Sequence, residues 1–180
     1  MTQPELSQPE TLILDRIATP IGEALVVTDE TGTLRAFDFG DHADRMARLM
    51  RRHYARQPVA GAAPARVREA IDRYFAGEIA QVHGLAWATA GTLFQRSVWR
   101  ALADIPHDRT VSYGDIARAI GNPTAVRAVG LANGSNPVAI VVPCHRVVGS
   151  TGALTGYAGG IDRKRWLLAH EAGERPLPLT

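Results

Sequence analysis

Residues 136–147 read Asn-Pro-Val-Ala-Ile-Val-Val-Pro-Cys-His-Arg-Val and contain the longest apolar run of the chain, at 138–142. Turn-forming residues at 133–137 precede this run, and Pro143 ends it. Five apolar residues are far fewer than the roughly 20 that cross a bilayer. We therefore expect the run to be a buried segment of a globular fold, with Cys144 directly after it.

The composition is that of an ordinary globular protein. Of the 180 residues, 46% are hydrophobic and 21% are charged, which is enough for one large or two small cores and excludes disordered and collagen-like chains. Residues 1–5 lack the basic and apolar regions of a signal peptide, so we expect a soluble, cytoplasmic protein without membrane contact. Cys144 is the only cysteine, which excludes an internal disulfide and a multi-cysteine zinc site.

Charge is unevenly distributed along the chain. Residues 1–90 carry ten basic and twelve acidic side chains, net −2, whereas residues 91–180 carry ten basic and six acidic side chains, net +4. This excess and a pI near 9.0 favour a polyanionic partner such as nucleic acid, because basic side chains displace counterions from phosphates. Arginine predominates and Lys164 is the only lysine, a bias that genome base composition explains equally well.

The first half of the chain predicts a small antiparallel sheet with helices. Apolar and β-branched runs separated by turn formers indicate strands at 12–14, 21–27 and 34–39, with a turn at 29–32. The features expected to follow are a helix at 45–56, a Pro/Gly/Ala linker at 58–64 and an amphipathic helix from Pro64 to Gly77.

The second half predicts mainly helices. Thr92 with Gln95 forms a capping-box pattern, which predicts a helix over 93–103. Five glycines in the segment 149–160 indicate a loop whose backbone can approach a ligand closely. Residues 162–172 predict a last helix.

Between these elements, two short helices are expected close together. Ser112 and Asp115 repeat the capping pattern ahead of a helix at 116–120. After a Gly-Asn-Pro break, Thr124 is expected to cap a second helix that ends near Ala132. The pair is typical of a helix-turn-helix, although most short helix pairs are only packing units, and spacing alone leaves both interpretations open.

These features together predict an α+β fold. We expect a small N-terminal antiparallel-sheet domain with helix at residues 1–88. A mainly α-helical domain containing the helix-turn-helix is expected at 89–180.

The pair Cys144-His145 places a thiol next to an imidazole. A nucleophilic cysteine needs a neighbouring base or positive charge to form the reactive thiolate. Adjacent side chains of an extended backbone point to opposite faces, so His145 reaches the thiol only through a turn or a bridging water. The alternative is an inert buried cysteine next to a structural histidine.

Residues 92–171 carry a series of motifs in a fixed order. These are Phe94-Gln95 with Val98-Trp99, Ser112-Tyr113-Gly114, Gly121-Asn122-Pro123, Pro143-Cys144-His145-Arg146-Val147, Gly156-Tyr157 with Gly159-Gly160, and Trp166-Leu167-Leu168-Ala169-His170-Glu171. Together they resemble the O6-alkylguanine-DNA alkyltransferases of bacterial type, also called methylated-DNA protein-cysteine methyltransferases. Thr19-Pro20-Ile21-Gly22 is similar, more loosely, to the N-terminal domain of that family.

The resemblance implies transfer of an alkyl group from guanine O6 to the sulfur of Cys144. By the pattern of the family, His145 deprotonates the thiol through a water, and Glu171 holds and polarises His145. Asn136 braces the loop that carries the cysteine. Tyr113 donates its phenolic proton toward the base as charge develops on guanine.

The resemblance also implies extrusion of the damaged nucleotide from duplex DNA. Arg127 occupies the position of the family's intercalating arginine, which fills the gap in the base stack. The small residues Ala125, Ala128 and Gly130 permit close approach to a minor groove. A helix-turn-helix ordinarily reads the major groove, but a lesion-repair protein has no need of sequence specificity, so we favour the minor groove.

The extruded base would be held mainly by backbone groups. The Ala158 N–H is expected to meet O6, and the carbonyls of Cys144 and Val147 to accept from the exocyclic amine. The glycine-rich loop would supply the rest of the pocket, with Tyr157 and Gly159 as further binding residues. No metal or other cofactor is required, because the thiol is the acceptor of the alkyl group.

The product, an S-alkyl thioether, has no good leaving group, so each molecule is expected to act once. The expected partner is double-stranded DNA carrying O6-alkylguanine, bound by a monomer. The size of the alkyl group, activity on O4-alkylthymine and cooperative assembly on DNA stay open. The net negative charge of the first half favours a scaffold role over DNA contact.

Three other classes of protein compete with this interpretation. Non-catalytic relatives that flag alkylated DNA replace the cysteine, which is present here as Cys144. Methylation-sensing regulators carry a multi-cysteine zinc module, for which one cysteine is too few. A cysteine hydrolase could also use Cys144, His145 and Glu171, but it needs an oxyanion hole and a water path that the sequence does not signal.

Overall fold

The protein is described by a computed structural model that covers residues 8–179, so the interpretation of residues 1–5 lies outside the described residues. The fold is α+β, as the sequence predicts. The strands are β1 (Leu12–Thr19), β2 (Gly22–Asp29), β3 (Leu34–Phe39), β4 (Val59–Ala60), β5 (Val111–Ser112) and β6 (Val147–Val148). The α-helices are α1 (Ala43–Tyr54), α2 (Ala65–Phe75), α3 (Leu93–Ala103), α4 (Tyr113–Ala119), α5 (Val126–Gly134) and α6 (Ile161–Glu171).

The first half forms a four-stranded sheet with the order β3-β2-β1-β4. β1 pairs antiparallel with β2 and β2 pairs antiparallel with β3, which confirms the predicted antiparallel sheet. The prediction that 58–64 is only a linker is wrong in part. Residues 59–60 form β4, parallel to β1, because their backbone pairs with the otherwise free edge of the sheet.

The helices of the first half lie close to their predicted positions. α1 buries Met46, Met50 and Tyr54 against one face of the sheet, and α2 buries its own apolar face, which includes Tyr74. This spacing of three and four residues is what an amphipathic helix requires, and it leaves the arginines of α1 on the outer side.

The predicted capping box of α3 is present. Thr92 Oγ1 accepts from the Gln95 N–H at 3.1 Å, and Gln95 Oε1 accepts from the Thr92 N–H at 3.0 Å. Ser112 and Asp115 form the same box ahead of α4. The prediction that Thr124 caps α5 is wrong: Ala125 is the N-cap, and the Thr124 hydroxyl instead donates to Asn122 Oδ1 at 3.3 Å.

These two threonines make a matched test of local stability. We expect Thr92→Ala to lower the free energy of unfolding by about 1 kcal/mol, because the substitution removes an N-cap hydrogen bond. Thr124→Ala should change the free energy of unfolding by less than about 0.5 kcal/mol. Urea unfolding of both variants measures the difference, and equal losses would contradict the capping assignment.

The main hydrophobic core joins both halves of the chain. Phe37 and Phe39 of β3 and Tyr74 of α2 belong to the same buried cluster as Trp99 of α3. The Phe37 N–H donates to the Pro137 carbonyl at 2.8 Å, which ties the segment at 138–142 to the sheet edge. The core therefore continues across residues 88 and 89, where the sequence predicts a domain boundary.

The apolar run at 138–142 is buried, as predicted. It is a tight turn rather than a strand, since the Val142 N–H donates to the Val138 carbonyl at 3.0 Å. Ile140 has a φ of 69°, which is rare for a β-branched residue and marks local backbone strain. The turn leads directly into Cys144. No helix in the described part of the chain, residues 8–179, is long and apolar enough to span a membrane.

Candidate active site

Cys144 begins a buried 3-10 turn that includes His145 and Arg146. His145 requires a turn or a bridging water to reach the Cys144 thiol, because adjacent side chains of an extended backbone point to opposite faces. The structure has such a turn. Cys144 is 4% exposed, so its thiol is shielded from bulk solvent. Within residues 8–179, no direct hydrogen bond joins this thiol to His145.

Glu171, near the end of α6, lies against the imidazole of His145. His145 Nε2 is 2.8 Å from Glu171 Oε1, and both side chains are buried. His145 Nδ1 is also buried but has no hydrogen-bond partner among the described residues. One ring nitrogen is therefore held by the carboxylate, and the other stays available for a further hydrogen bond.

Two further side chains hold the same carboxylate. Arg146 donates from Nε to Glu171 Oε2 at 2.8 Å and from Nη2 to Oε1 at 2.9 Å. Tyr74, on α2 in the first half of the chain, donates its hydroxyl to Glu171 Oε1 at 2.9 Å. Both Glu171 oxygens thus accept charge-assisted or phenolic hydrogen bonds, which fix the orientation of the carboxylate.

The surroundings set the protonation states of this cluster. Burial would raise the pKa of the Glu171 carboxyl, but the His145 imidazole and Arg146 guanidinium more than offset it and hold that pKa well below its usual range. Burial, with Glu171 beside it, raises the pKa of Tyr74 well above the ordinary value, so the phenol stays a donor. At neutral pH an ionised carboxylate therefore faces His145.

The surroundings of the Cys144 thiol disfavour its ionised form. Burial raises the pKa of Cys144, and hydrogen bonding by the Asn136 side chain opposes only part of that rise. Asn136 is also buried, donating from Nδ2 to the Val142 carbonyl at 2.7 Å and accepting from the Val138 N–H at Oδ1 at 3.1 Å. Asn136 therefore spans the tight turn ahead of Cys144, and the thiol needs a base to react.

The glycine-rich loop lies beside the thiol. The Tyr157 hydroxyl is buried without a partner among the described residues, and burial, with Cys144 nearby, raises the pKa of Tyr157 well above its ordinary value. A Cβ at Gly159 would lie 2.6 Å from the Tyr157 ring, so a larger residue there would require the ring to move. Ala158, between them, is half-buried.

Lys164 of α6 anchors this loop. Its side chain is fully buried, and Nζ donates to the Thr155 carbonyl at 2.8 Å and to the Val147 carbonyl. Burial lowers the pKa of Lys164, and the neighbouring Cys144 opposes that shift. A cation therefore lies near the thiol and can stabilise the thiolate.

The remaining predicted residues belong to α4 and α5 or, in the case of Ala125, directly precede α5. Arg127 and Ala128 are exposed on α5, whereas Ala125 and Gly130 are half-buried. Tyr113 is half-buried, and its hydroxyl lies 3.4 Å from the Thr155 hydroxyl, which donates to it. The Tyr113 ring packs near Gly130, where an added Cβ would lie 3.9 Å from it. Tyr113 thus touches both α5 and the glycine-rich loop.

Sequence reasoning gave no role to three residues of this site. Tyr74 lies 97 positions from Glu171, and nothing in its local sequence signals the contact. Arg146 belongs to the Cys-His-Arg motif, but its ion pair was not anticipated. Lys164 could have been found, because it is the only lysine of an arginine-rich chain. Among the described residues, no group of three or more histidine, cysteine, aspartate or glutamate side chains is arranged to bind a metal.

Comparisons with known proteins agree with this geometry. Residues 93–173 match the family described as "6-O-methylguanine DNA methyltransferase, DNA binding domain". The methylated-DNA–protein-cysteine methyltransferase of Salmonella typhimurium is 48% identical over 163 residues, which are 89% of this chain and 95% of that protein.

Solved structures give the same result. The O6-methylguanine methyltransferase of Mycobacterium tuberculosis superposes with a TM-score of 0.74 at 40% identity, covering 92% of this chain and 96% of that chain. The structure of Mycobacterium tuberculosis OGT in complex with DNA also has a TM-score of 0.74 at 40% identity, covering 91% and 95%. The chain therefore belongs to the O6-alkylguanine-DNA alkyltransferase family, the methylated-DNA–protein-cysteine methyltransferases.

Proposed function

We propose that this chain repairs duplex DNA by moving the alkyl group of O6-alkylguanine to Sγ of Cys144. Its family makes it a methylated-DNA–protein-cysteine methyltransferase with DNA as partner. The observation that carries the finer proposal is the 2.8 Å contact between Glu171 and His145 Nε2, which leaves Nδ1 unpartnered among the described residues in the turn that begins with Cys144. This is the order of orienting group, base and nucleophile that thiol activation requires.

The reaction is a displacement at carbon. His145 Nδ1 takes the thiol proton through a water, and Glu171 stabilises the imidazolium that forms. The sulfur then forms a bond to the alkyl carbon as the bond from that carbon to O6 breaks, and the electron pair stays on guanine. Tyr113 donates its phenolic proton toward the base, and the proton held by His145 restores the phenol through solvent.

Backbone groups hold the base in this proposal. The Ala158 N–H meets O6, and the carbonyls of Cys144 and Val147 accept from the exocyclic amine. Gly159 keeps this part of the loop open for the base, since a side chain there would collide with Tyr157. Lys164 occupies one acceptor site of the Val147 carbonyl and leaves the other available. O4-alkylthymine presents a similar alkoxy group and is a second substrate to test.

The thioether product has no low-energy route back to the thiol, so each monomer acts once and needs no cofactor. We expect Cys144 to gain one methyl group, about 14 mass units by simple addition of CH₂, when the protein is incubated with duplex DNA carrying O6-methylguanine. Intact-mass spectrometry with peptide mapping tests this. Stoichiometric binding without a mass gain would instead indicate a damage-binding protein, and turnover without a mass gain would indicate a hydrolase.

The 4% exposure of Cys144 supports nucleotide extrusion, because a base stacked in a duplex cannot approach a shielded thiol. In this proposal α4 and α5 act as a helix-turn-helix that enters the minor groove. The small side chain of Ala128 permits close approach, and Arg127 enters the base stack. Arg127 suits that role because it is exposed and makes no side-chain hydrogen bond within residues 8–179.

Replacing Arg127 should separate extrusion from chemistry. We expect Arg127→Ala to slow transfer from duplex DNA at least about tenfold, because unstacking costs a few kcal/mol and the arginine offsets part of that cost. Transfer from the free base O6-methylguanine should stay within about twofold of wild type. Single-turnover rates on the two substrates measure this, and equal slowing on both would contradict an extrusion role.

Tyr74 should act as a positioning residue for Glu171. We expect Tyr74→Phe to slow transfer about tenfold, the lower end of the effect of removing a supporting hydrogen bond. The control is Tyr54→Phe, which removes another buried hydroxyl, bonded at 3.4 Å to the Ala88 carbonyl away from the site. Rates are measured where both variants are folded. A Tyr54→Phe rate as low as that of Tyr74→Phe would indicate a general packing effect.

A further inference from the structure

The outer side of α1 carries three arginines that the proposed chemistry does not use. Arg51 and Arg52 lie three and four positions after Arg48, so the three residues share one side of the helix, which we name the arginine face. All three are exposed, and within residues 8–179 none of their side chains forms a hydrogen bond or ion pair. Asp44 is the single acidic residue of the helix.

α1 lies alongside the end of α5. Arg45, one turn before Arg48, donates from Nη2 to the carbonyls of Gly134 and Asn136, both at 3.0 Å. Arg52 lines the same surface groove as Ala128 and Leu131 of α5. The arginine face is therefore continuous with the helix that presents Arg127.

The net charge of residues 1–90, which is −2, gives no indication of the arginine face. Several carboxylates of that half are buried and paired: Asp29 with Arg35, Asp38 with Arg45, and Asp15 with Arg68. Each of these pairs is neutral and contributes nothing to the net charge of the first half. The net −2 does not record where the remaining charges lie, and the fold places the three unpaired guanidinium groups on one side of α1.

We infer that the arginine face binds backbone phosphates of the DNA that flanks the damaged nucleotide. The partner is duplex DNA because the face extends the surface of α5, and guanidinium forks match phosphate oxygens. The inference rests on the proposed function for the position of the DNA. It assigns the first half of the chain a direct part in DNA affinity, in place of the scaffold role that its net charge suggests.

The test uses the full chain with Arg48, Arg51 and Arg52 all changed to glutamine. A matched control changes Arg73, Arg165 and Arg175, which are exposed, lie on α2, α6 and the C-terminal segment, and do not line the groove between α1 and α5. Each triple variant loses the same charge. Both are made in the Cys144→Ser background, so that binding to a duplex containing O6-methylguanine is measured without transfer.

We expect the arginine-face variant to bind about tenfold or more weakly at low salt. The slope of log affinity against log salt should fall by about 2 to 3, since each lost phosphate contact contributes about 0.9. The control should bind within about twofold of the parent. Unchanged affinity and slope in the arginine-face variant, or equal losses in both triple variants, would overturn the inference.

Transfer from the free base O6-methylguanine, measured with Cys144 restored, separates this inference from the proposed function. Free-base transfer should be unchanged in the arginine-face variant, because the face lies outside the thiol site. Suppose that replacing these arginines weakens duplex binding, but that the wild-type protein gains no methyl group from O6-methylguanine. This result would refute the proposed chemistry and would still support the arginine face as a DNA-binding surface.

Discussion

Cys144→Ser is expected to abolish alkyl transfer and to leave the affinity for duplex DNA within about twofold of wild type. A serine hydroxyl has a pKa far above that of a thiol, and His145 cannot populate its anion at neutral pH. Burial, which already raises the pKa of Cys144, disfavours an alkoxide further. Transfer of labelled methyl groups to the protein and titration of a labelled duplex measure the two effects.

Cys144→Ala serves as the control, since it removes the nucleophile altogether. The serine and alanine variants should show the same background labelling, and both should bind DNA, because the change replaces a small side chain that is almost fully buried. Labelling of the alanine variant at the wild-type level would contradict the assignment of Cys144 as the acceptor, and labelling of the serine variant above the alanine background would contradict the expected inertness of the hydroxyl. Loss of DNA affinity in both, with the fold intact, would show that the thiol contributes to binding.

Glu171→Gln is expected to have the second largest effect. The amide keeps the shape of the side chain but removes the charge that faces His145 and Arg146. The transfer rate should fall about 100-fold or more, because the orienting carboxylate of the base is lost. The free energy of unfolding should fall by about 3–5 kcal/mol, because the buried Arg146 guanidinium is left without its counter-charge.

The Glu171 carboxyl also makes the free energy of unfolding depend on pH. The pKa of Glu171 is depressed in the folded protein, whereas an unfolded glutamate titrates near pH 4.3. The unfolded state therefore binds a proton first as the pH falls, so the stability supplied by Glu171 is fully present above about pH 5 and is lost below it. The stabilities of wild type and Glu171→Gln should begin to converge below about pH 5 and should continue to converge as the pH falls toward the depressed pKa of the folded state.

Urea unfolding at pH 7, 5 and 3 measures this convergence. Glu174→Gln is the matched control, since Glu174 is exposed three residues further along and should show no pH-dependent difference from wild type. A constant stability gap between wild type and Glu171→Gln at all three pH values would contradict a depressed pKa. A similar rate of transfer in Glu171→Gln and Glu174→Gln would remove Glu171 from the proposed mechanism.

Local features of the fold were predictable because their causes are local. Thr92 and Gln95 cap α3 across three residues, a distance that the helical backbone sets by itself. The failure at Thr124 has an equally local cause: the chain enters α5 one residue later than expected, so the hydroxyl cannot reach the free N–H groups of the helix. β4 was missed because its pairing depends on β1, whose partner residues lie 46 positions earlier in the chain.

The same distinction between local and distant causes applies to the candidate site. Sequence motifs bring attention to Cys144, His145 and Glu171, and the first two are neighbours in the chain. The contact between Tyr74 and Glu171 needs α2 to pack against α6, and no local pattern specifies that packing. The arginine face was not predicted for a related reason, since a net charge does not record on which side of a helix the charged residues lie.

The amino-acid sequence by itself determined the thiol, its neighbouring imidazole, the capping boxes of α3 and α4 and the strands β1 to β3. These depend on residue type and on contacts within a few positions, where covalent geometry limits the arrangements. Only the tertiary structure decided which buried groups hold the Glu171 carboxylate and which arginines stay unpaired beside α5. Those outcomes depend on how distant elements pack, because burial changes the energy of a charge and selects the partner that compensates it.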